Sequence, residues 1–201
     1  MLKLISLRAG DKNDSEALAT LIFASAPVLL PYLFKGQKNA IDYILQASQQ
    51  PDGQYSAVRH QLAVDGVKAI GCITLWDNQL SPSFHSYTVK SLTKFLLPDQ
   101  IIHLLATNDI ITKVFLAPLS HQFCIGHLAV LEEYKGLGVG KKLIAYAILQ
   151  AKQYNKSQLV LDVDSSNDEA ISFYTGLGFL LKQTTQFSPT NQAFHRMEFN
   201  L

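Results

Sequence analysis

The stretch Phe123-Cys-Ile-Gly-His-Leu-Ala-Val-Leu-Glu-Glu-Tyr-Lys-Gly-Leu-Gly-Val-Gly140 decides how this chain is read. It opens on an almost unbroken apolar run, Phe123 to Leu131, the pattern of a strand buried on both faces. Three glycines follow at alternate positions, Gly136, Gly138 and Gly140. An amphipathic helix pattern starts directly after them, with Leu143, Ile144, Ala147, Ile148 and Ala151 on one side. A strand, a glycine turn and a helix start, in that order, make a cradle for an anion. Glycines let backbone amides approach a ligand with no side chain in the way. The first N–H groups of the helix and its dipole favour a phosphate, and Lys135, Lys141 and Lys142 add positive charge.

Spacing disfavours two phosphate motifs. A Walker A loop needs a glycine five residues before the glycine of its Gly-Lys pair. Counting back from Gly140-Lys141 reaches Lys135, and Lys142 stands where Ser or Thr should follow. A dinucleotide fingerprint needs a third glycine three residues after the second, where this chain has Lys141 or Leu143. On glycines alone, a plain tight turn is the better reading.

A second block changes that balance. Lys135-Gly-Leu-Gly138-Val-Gly140 resembles the Arg/Gln-x-x-Gly-x-Gly/Ala loop of the GNAT superfamily of acyl-CoA N-acyltransferases, with Lys in first position. Leu128-Ala129-Val130 is similar to the family's Leu-x-Val strand end. Asn167-x-x-Ala170-x-x-Phe173-Tyr174-x-x-x-Gly178-Phe179 is similar to its second block. The close match covers roughly residues 123 to 180, and the N-terminal half agrees in element order only.

The resemblance implies an N-acetyltransferase that uses acetyl-CoA as acyl donor, with no metal. Amides of Lys135, Gly136, Leu137, Gly138, Val139, Gly140 and Lys141 would hold the pyrophosphate. Leu128, Ala129 and Val130 would end a strand splayed from its neighbour, pairing with the pantetheine arm and polarising the carbonyl. The plain alternative is a continuous sheet. Tyr174 is the candidate general acid, since a phenol is protonated at neutral pH and can donate to a departing thiolate; otherwise Phe173-Tyr174 is a core aromatic pair. Asn167 resembles the residue that hydrogen-bonds the arm, and equally suits a helix cap.

No general base is legible. The family's common positions, two and four residues before Leu128, hold Gly126 and Cys124. His127 is adjacent, but strand alternation turns it to the other face from Leu128, and a buried, hydrogen-bonded histidine is the plainer reading. Glu132 and Glu133 read as solvated. Without an activated nucleophile, direct attack by the amine is expected. The missing base also keeps open a non-catalytic acyl-CoA sensor, which turnover would separate from an enzyme.

The rest of the chain fits one domain. Its 201 residues are 48% hydrophobic and 16% charged, with a net charge of +1, values of a globular protein with no polyelectrolyte partner. Neither nucleic acid nor membrane is expected as a partner, and a homodimer stays open. Cys72 and Cys124 lie in apolar runs, reading as free thiols of a reducing, cytoplasmic compartment.

From the N-terminus the pattern predicts a strand over 2–8 and a helix opened by a capping box of Asn13 and Glu16. An irregular apolar segment, Ala26 to Phe34, is followed by a helix from Asn39 to Ser48. Strands fit Tyr55 to Val64 and Val67 to Trp76 around an Asp65-Gly66 hairpin. Residues 77–120 read as an inserted helical pair broken at Pro98. Then come a strand Gln158 to Asp164, a helix Asn167 to Leu177, and strands Phe179 to Phe187 and Phe194 to Phe199. The fold class is α+β: a mixed, mostly antiparallel sheet of six to seven strands with helices on both faces and a helical insertion before the central strand. Pro27 to Phe34, with Tyr32, Phe34 and Trp76, would wall an acceptor pocket for a small-molecule or peptide amine.

Overall fold

The computed structural model describes residues 5–201. Residues 2–4 of the first predicted strand lie outside them. Seven strands form one sheet in the order β1-β2-β3-β4-β5-β7-β6. By internal contacts the chain divides into two compact units. The first holds the stretch up to Thr74, Leu80–Leu105 and His127–Ala145; the second holds Leu75–Gln79, Ala106–Gly126 and Tyr146–Leu201.

In the first unit β1 (Ile5–Ala9) pairs antiparallel with β2 (His60–Asp65), and β2 with β3 (Lys68–Trp76). The hairpin turns at Gly66, whose φ of 60° lies in the left-handed region that Gly adopts without strain. β2 starts later than the alternation predicted, because Ala57–Arg59 close into a 3-10 turn. The N-terminal cap also differs. Asp11, not Asn13, accepts from the Asn13 amide, and Asp14 reaches back to the Asp11 amide at 2.9 Å. Arg8 holds Asp14 in a fork of 2.6 and 2.7 Å.

Helices α1 (Ser15–Ser25) and α3 (Gln37–Ser48) follow, with a short α2 (Leu29–Leu33) inside the segment read as irregular. On α3 the buried residues Ala40, Tyr43, Ile44 and Ala47 repeat every three to four positions, the stripe of a helix packed on one face.

Residues 77–120 hold two helices, longer than their apolar spacing implied. α4 is Pro82–Phe95 and α5 is Pro98–Val114. Each opens on a proline, whose missing N–H costs nothing in a first turn; Ser81 caps α4 by accepting from Phe84. α4 and the start of α5 are bonded into the first unit. Tyr43 and Ser91 hydroxyls meet at 2.8 Å, Gln100 donates to the Phe34 carbonyl at 3.3 Å, and His103 Nε2 lies 2.8 Å from the Tyr32 carbonyl.

In the second unit, residues Gln122–Ile125 of β4 (Gln122–Val130) run parallel to Gln158–Leu161 of β5 (Gln158–Asp164). β5 pairs antiparallel with β7 (Gln192–Asn200), and β7 with β6 (Leu180–Phe187). α7 (Asp168–Gly176) lies between β5 and β6 in sequence. Two charges sit inside this unit: Arg196 and Asp162, 3.1 Å apart, with side chains 5% and 9% exposed. Arg196 also donates to the Leu116 carbonyl at 3.0 Å. Removing one partner would strand a buried charge. Arg196→Leu should therefore lose about 3–5 kcal/mol of stability, read as a shift in the urea midpoint, while Asp162→Asn combined with Arg196→Leu should recover part of it.

Candidate active site

β4 runs out of its strand at Val130, and Leu131 N–H donates to the Ile70 carbonyl at 2.9 Å. A 3-10 turn, Glu132–Tyr134, leads to Lys135 in extended conformation. Gly136 and Gly138 follow with φ of 73° and 82°, both left-handed, and α6 (Val139–Gln153) begins at once. A Cβ at either glycine would meet nothing within 4 Å, so conformation, not crowding, demands glycine there. The first intrahelical bond is Lys142 N–H to Gly138 carbonyl at 3.0 Å. The amides of Val139, Gly140 and Lys141 precede it, where a helix has no internal acceptors for its donors. This set of backbone donors behind an exposed glycine turn suits an anion such as a phosphate.

The lysines are less uniform than the sequence suggested. Lys135 pairs with Glu132 at 2.9 Å, and Lys142 Nζ donates to the Ile5 carbonyl. Lys141 is exposed at the helix start.

Before the loop, β4 carries a surprise. His127 has φ of 44°, left-handed backbone inside a strand, uncommon for any residue but glycine. Alternation across the pleat does not hold through such a residue, so it cannot assign the His127 ring to a face. The ring stacks on Tyr55 at 5.2 Å and on His60 at 5.4 Å, and His127 Nδ1 lies 3.1 Å from His60 Nε2. His60 Nδ1 lies 2.9 Å from the Ser56 carbonyl. The expectation of a hydrogen-bonded histidine holds, although His127 is only half-buried while His60 is 2% exposed. Burial pushes the His60 imidazolium down to about 4; burial and then His60 push that of His127 down to about 3. Leu128, Ala129 and Val130 come directly after. A Cβ on Gly71 would sit 2.9 Å from the Ala129 carbonyl, so only glycine lets β3 approach there.

Tyr32 and Phe34 belong to the same unit. Phe34 stacks on Tyr43 at 4.6 Å, and Tyr32 meets His103 of α5 edge-on at 4.9 Å. α5 thus packs against the Tyr32 ring. Trp76, the third residue expected in an acceptor wall, falls in the other unit.

In the second unit Asn167 caps α7, its Oδ1 accepting from Ala170 at 3.0 Å. The cap reading is correct, leaving its amide N–H groups for any ligand. Phe173 and Tyr174 are 5.3 Å apart, and Tyr174 packs on Phe179 at 5.6 Å. The Tyr174 side chain is 7% exposed, and its hydroxyl has no hydrogen-bond partner among the described residues. Burial of the ring holds the phenol protonated far above neutral pH. Cys124 is buried, and burial likewise raises its thiol.

The model of the acetyltransferase (GNAT) family matches residues 30–179, three quarters of the sequence. This chain is a GNAT acetyltransferase. It is 36% identical over 56 residues to N-alpha-acetyltransferase 30 of Saccharomyces cerevisiae, a match over 28% of this chain and 32% of that protein. The chain thus spans about a third of the length of the curated relatives it matches. An N-acetyltransferase from Staphylococcus aureus Mu50 superposes with a TM-score of 0.71 at 18% identity, over 96% of this chain and 100% of that one. The yncA protein of Salmonella typhimurium, solved with its cofactor acetyl-CoA, gives 0.57 at 15% identity, over 98% and 94%. Among the described residues of this GNAT chain, no helix is long and apolar enough to cross a membrane.

The paired histidines make stability of the GNAT fold pH-dependent. Unfolded histidine takes up a proton near pH 6.5, whereas folded His60 and His127 wait until about 4 and about 3. The unfolded state therefore binds more protons in between, and stability falls as pH drops below about 6.5. Urea unfolding at about pH 5 should take up nearly two protons from this pair, and one fewer in His60→Gln. Constant stability between about pH 7 and pH 5 would exclude the depressed values.

Proposed function

We propose that this GNAT enzyme moves the acetyl group of acetyl-CoA to a primary amine by direct attack, without a covalent enzyme intermediate. The observation that carries this reading is the pair of left-handed glycines, Gly136 and Gly138, opening onto the first amides of α6. Lys135 to Lys141 hold the pyrophosphate. Leu128, Ala129 and Val130 face the pantetheine arm through their backbone, assisted by Asn167 and Phe173. Bound acetyl-CoA supplies the thioester carbonyl. Tyr174 gives its proton to the departing thiolate, a role supported by a phenol kept protonated with no competing hydrogen bond. Direct attack is supported by the buried, high-pKa thiol of Cys124, a poor nucleophile.

An amine acceptor is supported by the name of the yeast relative, an N-alpha-acetyltransferase. Both small amines and peptide N-termini fit the reading. The two unpaired thiols, Cys72 and Cys124, support a reducing, cytoplasmic setting.

Turnover is tested by CoA release from acetyl-CoA across amino acids, peptide N-termini, polyamines, aminoglycosides and arylamines. Release with one class names the acceptor; acetyl-CoA binding with no release from any amine would argue for a sensor. Tyr174→Phe should lower kcat about 10²-fold, the low end for general acid catalysis, with acetyl-CoA affinity nearly unchanged. Gly138→Ala forces a left-handed alanine, a strain of about 1–2 kcal/mol, and should weaken acetyl-CoA binding about tenfold in calorimetry. Unchanged affinity would remove the glycine turn from the donor site.

A further inference from the structure

The glycine turn is gripped at its entry by a hairpin of the same unit. β2 and β3 meet in a tight turn, with Asp65 opposite Lys68 and Gly66 left-handed in between. Both charged residues reach the 3-10 turn that leads to Gly136. The Tyr134 hydroxyl donates to Asp65 Oδ2 at 3.0 Å. Lys68 Nζ pairs with Glu133 at 3.0 Å and lies 5.4 Å from the centre of the Tyr134 ring. Beside them the Leu131 N–H donates to the Ile70 carbonyl of β3, and the Tyr134 N–H to the Leu131 carbonyl, each at 2.9 Å. β3 touches the exit as well: a Cβ on Gly71 would meet a Val139 methyl at 3.3 Å. Residues 131 to 139 thus form a short arch with both feet on β3.

These contacts are unequal. The Lys68 and Glu133 side chains are 54% and 57% exposed, and a solvated ion pair of this kind contributes little. Tyr134 is buried. Its hydroxyl meets a carboxylate, and a hydrogen bond to an ionised acceptor is about twice as strong as a neutral one. Two residues after Tyr134 comes Gly136 with its φ of 73°, and Gly138 follows with 82°. Glycine has many backbone conformations open to it, so two glycines alone do not hold the next amides in one direction. The Tyr134 ring and hydroxyl fix the chain at the point where these free positions begin.

We infer that Tyr134 is a positioning residue of the donor site, whose hydrogen bond to Asp65 sets the glycine turn so that the first α6 amides face the pyrophosphate. The inference rests on the acetyl-CoA reading of that turn. In this role Tyr134 acts through Gly136 and Gly138 rather than on the ligand. It reduces the number of turn conformations among which CoA must select, so less ordering is left to the binding step. The consequence is confined to one part of the carrier. Holding a pyrophosphate needs the turn in place, whereas the thiol and amide arm of pantetheine carry no group for it to hold.

Calorimetry with CoA and with pantetheine tests this. Tyr134→Phe keeps the buried ring and removes only the hydroxyl. It should bind CoA about tenfold more weakly, the low end for a hydrogen bond to a charged group, and bind pantetheine as wild type does. In an Asp65→Ala background the same change should alter CoA binding by less than about twofold, because the bond is already gone. Wild-type CoA affinity in a folded Tyr134→Phe would overturn the inference. An equal loss for CoA and pantetheine would overturn it too, since Tyr134 would then serve the fold alone. A full tenfold loss in the Asp65→Ala background would overturn the pairing with Asp65. Wild-type protein that binds CoA no better than pantetheine would overturn the parent reading, and this inference falls with it. That comparison needs no variant, so the two failures are distinguishable.

Discussion

A helix begins with amides that have no partner inside it, and the chain around α6 is built to keep those amides uncovered. Val139 is buried and fixes the first turn to the core, together with Leu143, Ile144 and Ala147. Gly136 and Gly138, just before it, are exposed and carry no side chain. Left-handed φ at both turns the chain into the helix with no Cβ over the donors. An anchored helix with an open N-terminus is the condition for holding a phosphate ester, and the proposed donor site depends on it.

β4 carries constraints of its own. Its first half is tied into a parallel ladder with β5, through Gln122 to Ile125. Its second half carries a left-handed histidine, a thiol hydrogen bond to that residue's carbonyl, and a glycine opposite Ala129. Left-handed backbone costs a non-glycine residue about 1–2 kcal/mol. The stacking of His127 between Tyr55 and His60, and its hydrogen bond, offset that strain.

How legible was this in the sequence? The strand, glycine turn and helix over 123–153 were readable because each has a local signature: an apolar run, alternate glycines and a 3.6-residue stripe. The inserted helices were readable from their spacing, but not their ends, since Pro82 and Pro98 act as first-turn residues and extend both helices. The short α2 was missed because Pro31 and five residues give too little period to see. The Asp11 cap was missed because the stronger-looking Asn13 lay two residues on. His127 was the instructive case. Alternation is a reliable guide only while φ stays negative, and nothing in Gly-His-Leu announces otherwise. Its partner His60 is 67 residues away, beyond any motif, and so is the Tyr55 ring. The assignments of Asn167 and Tyr174 came from the block pattern, whereas the cap on α7 is written in the Asn residue itself.

The central claim is that α6 and its glycine turn bind the pyrophosphate of the acyl carrier, and comparing CoA with pantetheine tests it most directly. Pantetheine keeps the thiol and the amide arm but lacks the pyrophosphate. Two charge-assisted hydrogen bonds to a phosphate contribute about 3 kcal/mol, so calorimetry should find CoA binding roughly a hundredfold more tightly. Equal affinity for CoA and pantetheine would contradict the account, because α6 would then hold nothing.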